Sequence, residues 1–472
     1  MPNWQYPNDD TNREVTMLDR ADFKVYIHYI IPSIASFLLT GIYSIVDGLF
    51  VGHAVGDAGL AGINVAWPLV AFMMAIGTGV GMGGAVISSI YAGIGDLRSS
   101  NRAIAHTLSM LALATPLVMV VLFCFGQQLI YLFGGRDEIL SQSQSYLSVM
   151  TWGSLFQIMA SGCIPLMRNK GRVVAAMVIL VISGLLNVAL DFALVMLAGW
   201  GVAGAGLATV IAQAFVFICG LAFFLQRENR PHSRDFALDG EFLRRTLKGG
   251  FAPFALTLLP EVTTIVMNMA TEAHGGATAQ SAFAVISYVA VAIQWIIQGV
   301  NDGSQPLVSL RFGEGKLSTM RALRHTNYVF AVGIGLAGMV ALYVLRVPLA
   351  VVFGISPETS EVFYHGVALF SLALGLYGIT HAITSFFYAV ESSRNATIVI
   401  LGEVVLVVFF AAVLPLFLGL DGVWLAVVAT QACLAVLAVA LLRHSRGNIA
   451  QAAARHVEKH AELAGQAAES NA

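Results

Sequence analysis

The chain reads as an all-α polytopic membrane protein, with about twelve transmembrane helices in two parallel-repeat six-helix bundles. Three observations predict this. Apolar runs long enough to cross a bilayer follow one another along the chain. Basic residues fall in alternate gaps between those runs. The second half echoes the first at an offset of about 220 residues.

Composition sets the class. Of 472 residues, 57% are hydrophobic and only 11% charged, too few charges to cover a soluble domain of this size. The backbone in hydrocarbon must satisfy its own hydrogen bonds, so apolar runs of this length have to be helices. They read as 27–50, 60–90, 103–130, 146–167, 173–198 and 201–226, then 249–272, 281–306, 324–345, 362–389, 397–418 and 422–442. The second is longer than a bilayer needs, so it tilts or includes interfacial turns. Glycine is abundant, which suits close helix contact in lipid. The first 24 residues are polar and the first apolar run continues past Phe50, unlike a cleavable signal peptide. The expected organisation is a cytoplasmic N-terminal segment 1–24, an N-lobe 25–226 with helices 1–6, a cytoplasmic linker 227–248, a C-lobe 249–442 with helices 7–12, and a cytoplasmic tail 443–472.

The charge asymmetry orients the chain. Arg13, Arg20 and Lys24 precede the first span, Arg98 and Arg102 follow the second, and Arg168, Lys170 and Arg172 follow the fourth. The linker holds six more, from Arg227 to Lys248. Arg311, Lys316, Arg321 and Arg324, then Arg394, then Arg443, Arg446, Arg455 and Lys459 continue the alternation. The opposite loops hold only Arg136 and Arg346, so the positive-inside rule puts both termini in the cytoplasm. Nothing in this distribution suggests nucleic-acid binding. Cys124, Cys163, Cys219 and Cys433 sit isolated in apolar runs, as small hydrophobes rather than a disulfide or zinc framework.

The halves match locally. Arg102-Ala103-Ile104-Ala105-His106-Thr107 opens the third span and Arg321-Ala322-Leu323-Arg324-His325-Thr326 the ninth. Gly93-Ile94-Gly95-Asp96-Leu97 corresponds to Gly313-Glu314-Gly315-Lys316-Leu317. Each pair falls on one predicted membrane side, which makes the duplication parallel. Two equivalent lobes around a cleft suit alternating access within a single chain, so a functional monomer is expected.

Charge at bilayer depth costs several kcal/mol if uncompensated, so such residues face a cavity or a partner. Asp47 lies on the first span with Tyr43 one turn earlier. Asp191 lies on the fifth with Asn187 one turn earlier, and Thr209 is the nearest hydroxyl on the sixth. Asp47, Asn187, Asp191 and Thr209 offer two carboxylates and two neutral oxygens. That set suits a sodium ion, or a proton, because two acids in one apolar pocket resist double ionisation. On the seventh span Glu261, Asn268 and Glu272 share one stripe, and Pro260 is expected to kink the helix there. Gln294, Gln298 and Asn301 form a stripe on the eighth span, and Tyr377, His381 and Tyr388 mark the tenth. The candidate substrate cavity therefore takes in Tyr43, Glu261, Asn268, Gln294, Gln298, Tyr377 and His381, suited to amphipathic cations over ring faces. Interhelical hydrogen bonding is the competing use of these groups. Glu403 on the eleventh span is a further acid with few polar companions in sequence.

These residues carry a resemblance. Tyr43-Ser44-Ile45-Val46-Asp47-Gly48-Leu49-Phe50-Val51-Gly52, followed by Asn64-Val65-Ala66-Trp67-Pro68, resembles the end of the first helix in the multidrug and toxic compound extrusion (MATE) family, in a MepA-like bacterial branch. Leu186-Asn187-Val188-Ala189-Leu190-Asp191-Phe192, followed by Gly201-Val202-Ala203-Gly204, is similar to a second family segment. The resemblance spans about residues 25–445. It implies a multi-pass antiporter of the bacterial inner membrane, exporting organic cations and hydrophobic drugs in exchange for protons or sodium ions. It maps the family's N-lobe cation site onto Asp47, Asn187, Asp191 and Thr209. Glu261 matches a functional glutamate of helix seven in some members. Those members also have an aspartate in helix ten, where this chain has Tyr377, His381 and Tyr388. No cofactor is implied beyond the coupling ion, and the partners are small organic cations and membrane lipid.

Other classes are less well supported. No Walker A loop is present for ATP drive. A membrane metalloprotease would need His-Glu-x-x-His, and a prenyl-type transferase would need clustered aspartates for magnesium. Neither occurs, so the chain is not expected to be an enzyme. The alternative transport reading is a flippase or exporter of a lipid intermediate or amphipathic metabolite. Such a cavity would carry more basic residues to hold phosphates, whereas the intramembrane charges here are mainly acidic.

Overall fold

The computed structural model describes residues 18–226, 231–236, 239–353 and 356–470. Parts of the expected N-terminal segment and linker fall outside them. Within the helices a few side chains, Tyr43 among them, also lie outside the described residues. No strand occurs among the described residues.

The first three helices, α1 (Arg20–Val55), α2 (Asp57–Ile94) and α3 (Leu97–Leu132), are joined by short turns. Next come α4 (Asp137–Trp152) and α5 (Ser154–Asn169), then α6 (Val173–Asp191), a π-helical stretch Phe192–Leu197, and α7 (Gly201–Leu225). The long α8 (Gly240–Gly313) is broken at Gly276, its one residue with non-helical backbone angles. The chain then forms α9 (Leu317–Val344), α10 (Arg346–Val352), α11 (Pro357–Phe370), α12 (Leu372–Ala389), α13 (Ser393–Val413), α14 (Pro415–Leu418) and α15 (Leu420–Ser470). Ten helices among the described residues are long and apolar enough to cross a membrane, or 11 if α4 and α5 form one bent span. The first expected span falls on α1, several of whose side chains are outside the described set.

Four local features differ from the sequence reading. The fourth span is not one rod: α4 and α5 meet at 62° around Gly153. At Pro260 the backbone keeps helical angles, and α8 departs from them only at Gly276. A proline is tolerated in a membrane helix when neighbouring groups satisfy the carbonyl it leaves unpaired. Part of the stretch read as linker, from Gly240 onward, is already helix. The stretch read as tail continues α15 without a break as far as Ser470.

The turns themselves repeat. Left-handed backbone occurs at Gly56 and Gly276, Gly95 and Gly315, Gly171 and Glu391, and Gly199 and Gly419, each pair separated by 220 positions. At three of these pairs glycine occupies both positions, as the left-handed region favours. Glu391 holds φ 54° without that relief.

The chain divides into two compact units. In the unit Leu38–Leu258, α2 is central and packs on α3, α4 and α5, while α7 packs on α5 and α6. Small residues allow this closeness: a Cβ at Gly81 would lie 2.5 Å from the Gly162 Cα, and one at Gly77 would lie 2.5 Å from the Ile158 carbonyl oxygen. At one end Arg102 pairs with Asp239 at 3.0 Å, Arg245 donates to the Tyr91 hydroxyl and Lys170 to Asn101. In the unit Met1–Phe37 with Leu259–Ala472, α12 packs on α9, α13 and α15 around a core that includes Phe283, Phe363, Phe370 and Trp424. Its polar end joins Asp22 and Glu314 through Arg311, and His456 of α15 packs edge-on against Phe312. Large apolar side chains such as Leu117, Leu185, Val351 and Phe417 point outward, as lipid-facing surface requires. Cys163 is buried, whereas Cys124 and Cys433 lie on the exterior; all four cysteines are free.

Candidate functional site

The Leu38–Leu258 unit brings the carboxyls of Asp47 and Asp191 together. Asp191 is the last residue of α6 and is fully buried. Asp47, on α1, is half-buried, and the two carboxyls lie within hydrogen-bonding reach when one carries a proton. No N–H or hydroxyl among the described residues donates to either Asp191 oxygen or to the buried Oδ1 of Asp47. Asn187, one turn before Asp191 and 2% exposed, has neither its amide oxygen nor its amide nitrogen paired. Buried polar atoms are normally satisfied, so this cluster stands out as one with acceptors and an amide that no described group pairs with. Thr209 is half-buried on α7, the helix that packs against α6.

The π turn was not foreseen. It begins at Phe192, directly after Asp191, and ends with the Ala198 amide donating to the Ala193 carbonyl at 2.9 Å. A π turn inserts one residue into the helical repeat and shifts the register of the face beyond it. The apolar Phe192-Ala193-Leu194-Val195 sequence carries no sign of it.

The other unit contains a cavity of about 660 Å³, including its open mouth. Gln294 from α8 and Tyr377 and His381 from α12 line it, as do Glu403 from α13 and Gln431 from α15. Tyr377 and His381 stack with ring centroids 3.6 Å apart. Gln431 Nε2 donates to Glu403 Oε1 at 2.7 Å, while His381 Nε2 stands 3.8 Å from Glu403 Oε2. His381 and Glu403 are 5% and 6% exposed, so this polar wall is buried except toward the cavity.

Not every expected lining residue joins it. Glu261, Asn268 and Gln298 are absent from its walls, although Leu259, Pro260, Thr263 and Thr264 of the same helix line it. Gln298 instead donates to Asp302 at 2.8 Å. Asp302 is a buried acid that the sequence reading passed over; it also accepts from the Tyr388 hydroxyl. Glu403 lacked polar neighbours in sequence because its partner Gln431 is 28 residues away, on another helix. Asp302 and Gln431 could have been found as polar residues in otherwise apolar spans.

The family model MatE matches residues 32–193, the stretch that includes Asp47, Asn187 and Asp191. The multidrug export protein MepA of Staphylococcus saprophyticus is 26% identical over 449 residues, covering 89% of this chain and 94% of that protein. The chain is similar to the MATE family over residues 32–193 and to MepA along most of its length. Its 10 or 11 helices long and apolar enough to cross a bilayer make it an all-α polytopic membrane protein. The fold agrees. A multidrug resistance MATE family transporter of the MOP superfamily, solved in an outward-facing conformation, matches with TM-score 0.86 at 19% identity, over 94% of this chain and 100% of that one. A MOP superfamily transporter from Pyrococcus furiosus, described as having a binding pocket of reverse polarity, matches with TM-score 0.85 at 19% identity, over 93% and 99%.

Proposed function

We propose that this chain is a MATE-family secondary active antiporter of the bacterial cytoplasmic membrane, exporting organic cations and hydrophobic drugs in exchange for protons or sodium ions. One observation carries the reading: the facing carboxyls of Asp47 and Asp191, buried beside an unpaired Asn187. Two carboxylates in contact cannot both stay ionised in an apolar setting without a counter-charge. A proton or sodium ion supplies it, with Asp47, Asn187, Asp191 and Thr209 as the coupling set. An organic cation supplies it equally well, so the two ligands exclude each other. The export activity named for the MepA relative supports the substrate class.

The same reading takes α1 as a further span beside the 11, giving twelve helices in two duplicated six-helix lobes. The four pairs of left-handed turns, each separated by 220 positions, support the duplication. The excess of basic residues on one set of loops supports cytoplasmic termini. The chain works as a monomer, since each copy holds both lobes. Proteoliposomes loaded with a fluorescent organic cation test the function, with proton and sodium gradients imposed separately. Efflux driven by one gradient and abolished by its collapse is expected. Transport that ignores both gradients would overturn it.

A further inference from the structure

We infer that Glu403, Gln431 and His381 form a second ligand site, in the unit Met1–Phe37 with Leu259–Ala472, that binds a protonated amine carried on a flat apolar body. The inference rests on the antiport reading only for the claim that such an amine is exported cargo; the binding itself stands on the geometry below.

The site is built and incompletely satisfied. Glu403 Oε1 is held by Gln431 Nε2, which fixes the carboxylate and leaves Oε2 facing His381. The 3.8 Å between His381 Nε2 and that oxygen is too long for a hydrogen bond. Both ring nitrogens of His381 and the Gln431 Oε1 have no hydrogen-bond partner, although both residues are buried at 5% and 3% exposure. All three residues line one cavity. A buried polar atom without a partner costs free energy, and three at one cavity wall mark a place for a ligand with several donors.

The chemistry selects the ligand. A proton on Glu403 would neutralise the carboxyl but leave Gln431 Oε1 without a donor. A bare metal ion finds a poor shell, since no group of three His, Cys, Asp or Glu able to hold one exists among the described residues. A primary ammonium has three N–H groups and can reach Glu403 Oε2, Gln431 Oε1 and an imidazole nitrogen together. Phe283, Phe370, Leu374 and Val427 give the rest of the cavity an apolar wall, and the stacked Tyr377–His381 pair offers a flat face to an aromatic body.

The 220-residue spacing of the turns identifies which position of the first half corresponds to this acid. Between the turn pairs Gly171 and Glu391 and Gly199 and Gly419, the 220-residue offset pairs Glu403 with Ser183. The same offset pairs Asp191 with Ala411. Each half thus carries its own acid where the other has a small uncharged residue.

The test uses the full chain in lipid nanodiscs and three probes: 1-naphthylmethylammonium, its N,N,N-trimethyl analogue and uncharged 1-naphthalenemethanol. Glu403→Gln should weaken binding of the primary ammonium about ten- to a hundredfold, the range of a lost charge-assisted hydrogen bond, and leave the alcohol unchanged. Glu403→Asp should restore part of the loss, and Gly333→Ala, with nothing within 4 Å of its Cβ position, should leave ammonium binding intact. The trimethyl analogue should bind more weakly than the primary ammonium, because it donates nothing to Gln431 or His381. Equal weakening of the alcohol in a Glu403→Gln protein that unfolds at the wild-type temperature would overturn the site, as would no loss for the ammonium. Gradient-driven efflux is measured on the same wild-type protein. Its absence would sink the antiport reading while leaving the binding result to be judged by itself.

Discussion

The carboxyl of Asp47 on α1 faces that of Asp191 at the point where α6 gives way to a π turn. The pairing joins residues 144 positions apart in number, and no hydrogen-bond donor among the described residues relieves either Asp191 oxygen. The arrangement stores an electrostatic conflict inside one unit. Any cation that enters resolves it, and any conformation that separates α1 from α6 changes its strength. This gives a physical route from ion binding to helix movement, because a ligand shifts an equilibrium only as far as it binds one state better.

Neutralising either acid should therefore uncouple the protein without unfolding it. Asp47→Asn and Asp191→Asn keep side-chain shape and remove the conflict, so thermal stability should hold within a few degrees of wild type. Gradient-driven efflux of a fluorescent cation should fall at least about tenfold in each, since the differential binding that couples the two ligands is lost. Near-normal active efflux by both variants at equal protein levels would remove the pair from the coupling mechanism.

Close helix packing should be as sensitive as the charged sites. At Gly81 a Cβ would sit 2.5 Å from backbone of α5, which cannot give way as a side-chain tip would. Gly81→Val should cost about 1–3 kcal/mol, the range for overpacking a filled core, and lower the unfolding temperature in detergent. Gly333→Ala is the matched control: nothing lies within 4 Å of its Cβ position, so it should be neutral or slightly stabilising. A Gly81 variant as stable as the control would show that α2 and α5 are free to part.

Much of this was legible in the sequence, for definite reasons. Apolar length dictates helices in lipid, so the all-α class followed from composition and run length. Asp47, Asn187 and Asp191 stood out because a polar residue in an apolar span is conspicuous. Their meeting was not readable from spacing alone, since it depends on how α1 lies against α6. The 62° bend at Gly153 escaped notice because its flanks are polar on one side and apolar on the other, as in an ordinary span end. Pro260 misled for the opposite reason: proline breaks a water-exposed helix, but here the chain breaks at Gly276, where φ is 62°. Gln431 was not singled out, because its partner Glu403 is 28 positions away on another helix and only the fold brings the two together.

Membrane orientation can be read chemically. Ser356 caps α11 and is exposed, in a loop region near Arg346, whereas Ser233 lies in the basic stretch between α7 and α8. In a background without other cysteines, Ser356→Cys should react with an impermeant maleimide added to intact cells, and Ser233→Cys should react only after lysis. The opposite pattern would invert the topology.

Glu261 is a separate question, because it lies half-buried on α8 yet outside the cavity that Pro260 and Thr264 line. If it steers cationic cargo toward that cavity, Glu261→Gln should slow efflux of cationic dyes several-fold and spare uncharged compounds. Equal slowing of both would assign it to coupling or structure, and no slowing would remove it from transport.

If the proposed Asp47–Asp191 pair holds both ligands, cargo and coupling ion compete. Asp47 and Asp191 answer to any positive charge, and neither is paired with a basic side chain among the described residues. Reciprocal linkage then requires that each ligand weaken the other by the same factor. Binding of a lipophilic cation to purified protein should weaken as pH falls from about 8 to about 5, the direction in which protons occupy the carboxyls that hold it. Sodium added at constant pH should weaken it too if the same oxygens hold the metal ion. The dependence should flatten in Asp47→Asn and in Asp191→Asn, because one carboxyl of the pair no longer titrates. Coupling energies of about 1–3 kcal/mol correspond to shifts of roughly 5- to 150-fold in affinity, well within reach of a fluorescence titration. An affinity that ignores both protons and sodium would mean that cargo and ion never meet at these acids, and that exchange is coupled only through movement of the helices that carry them.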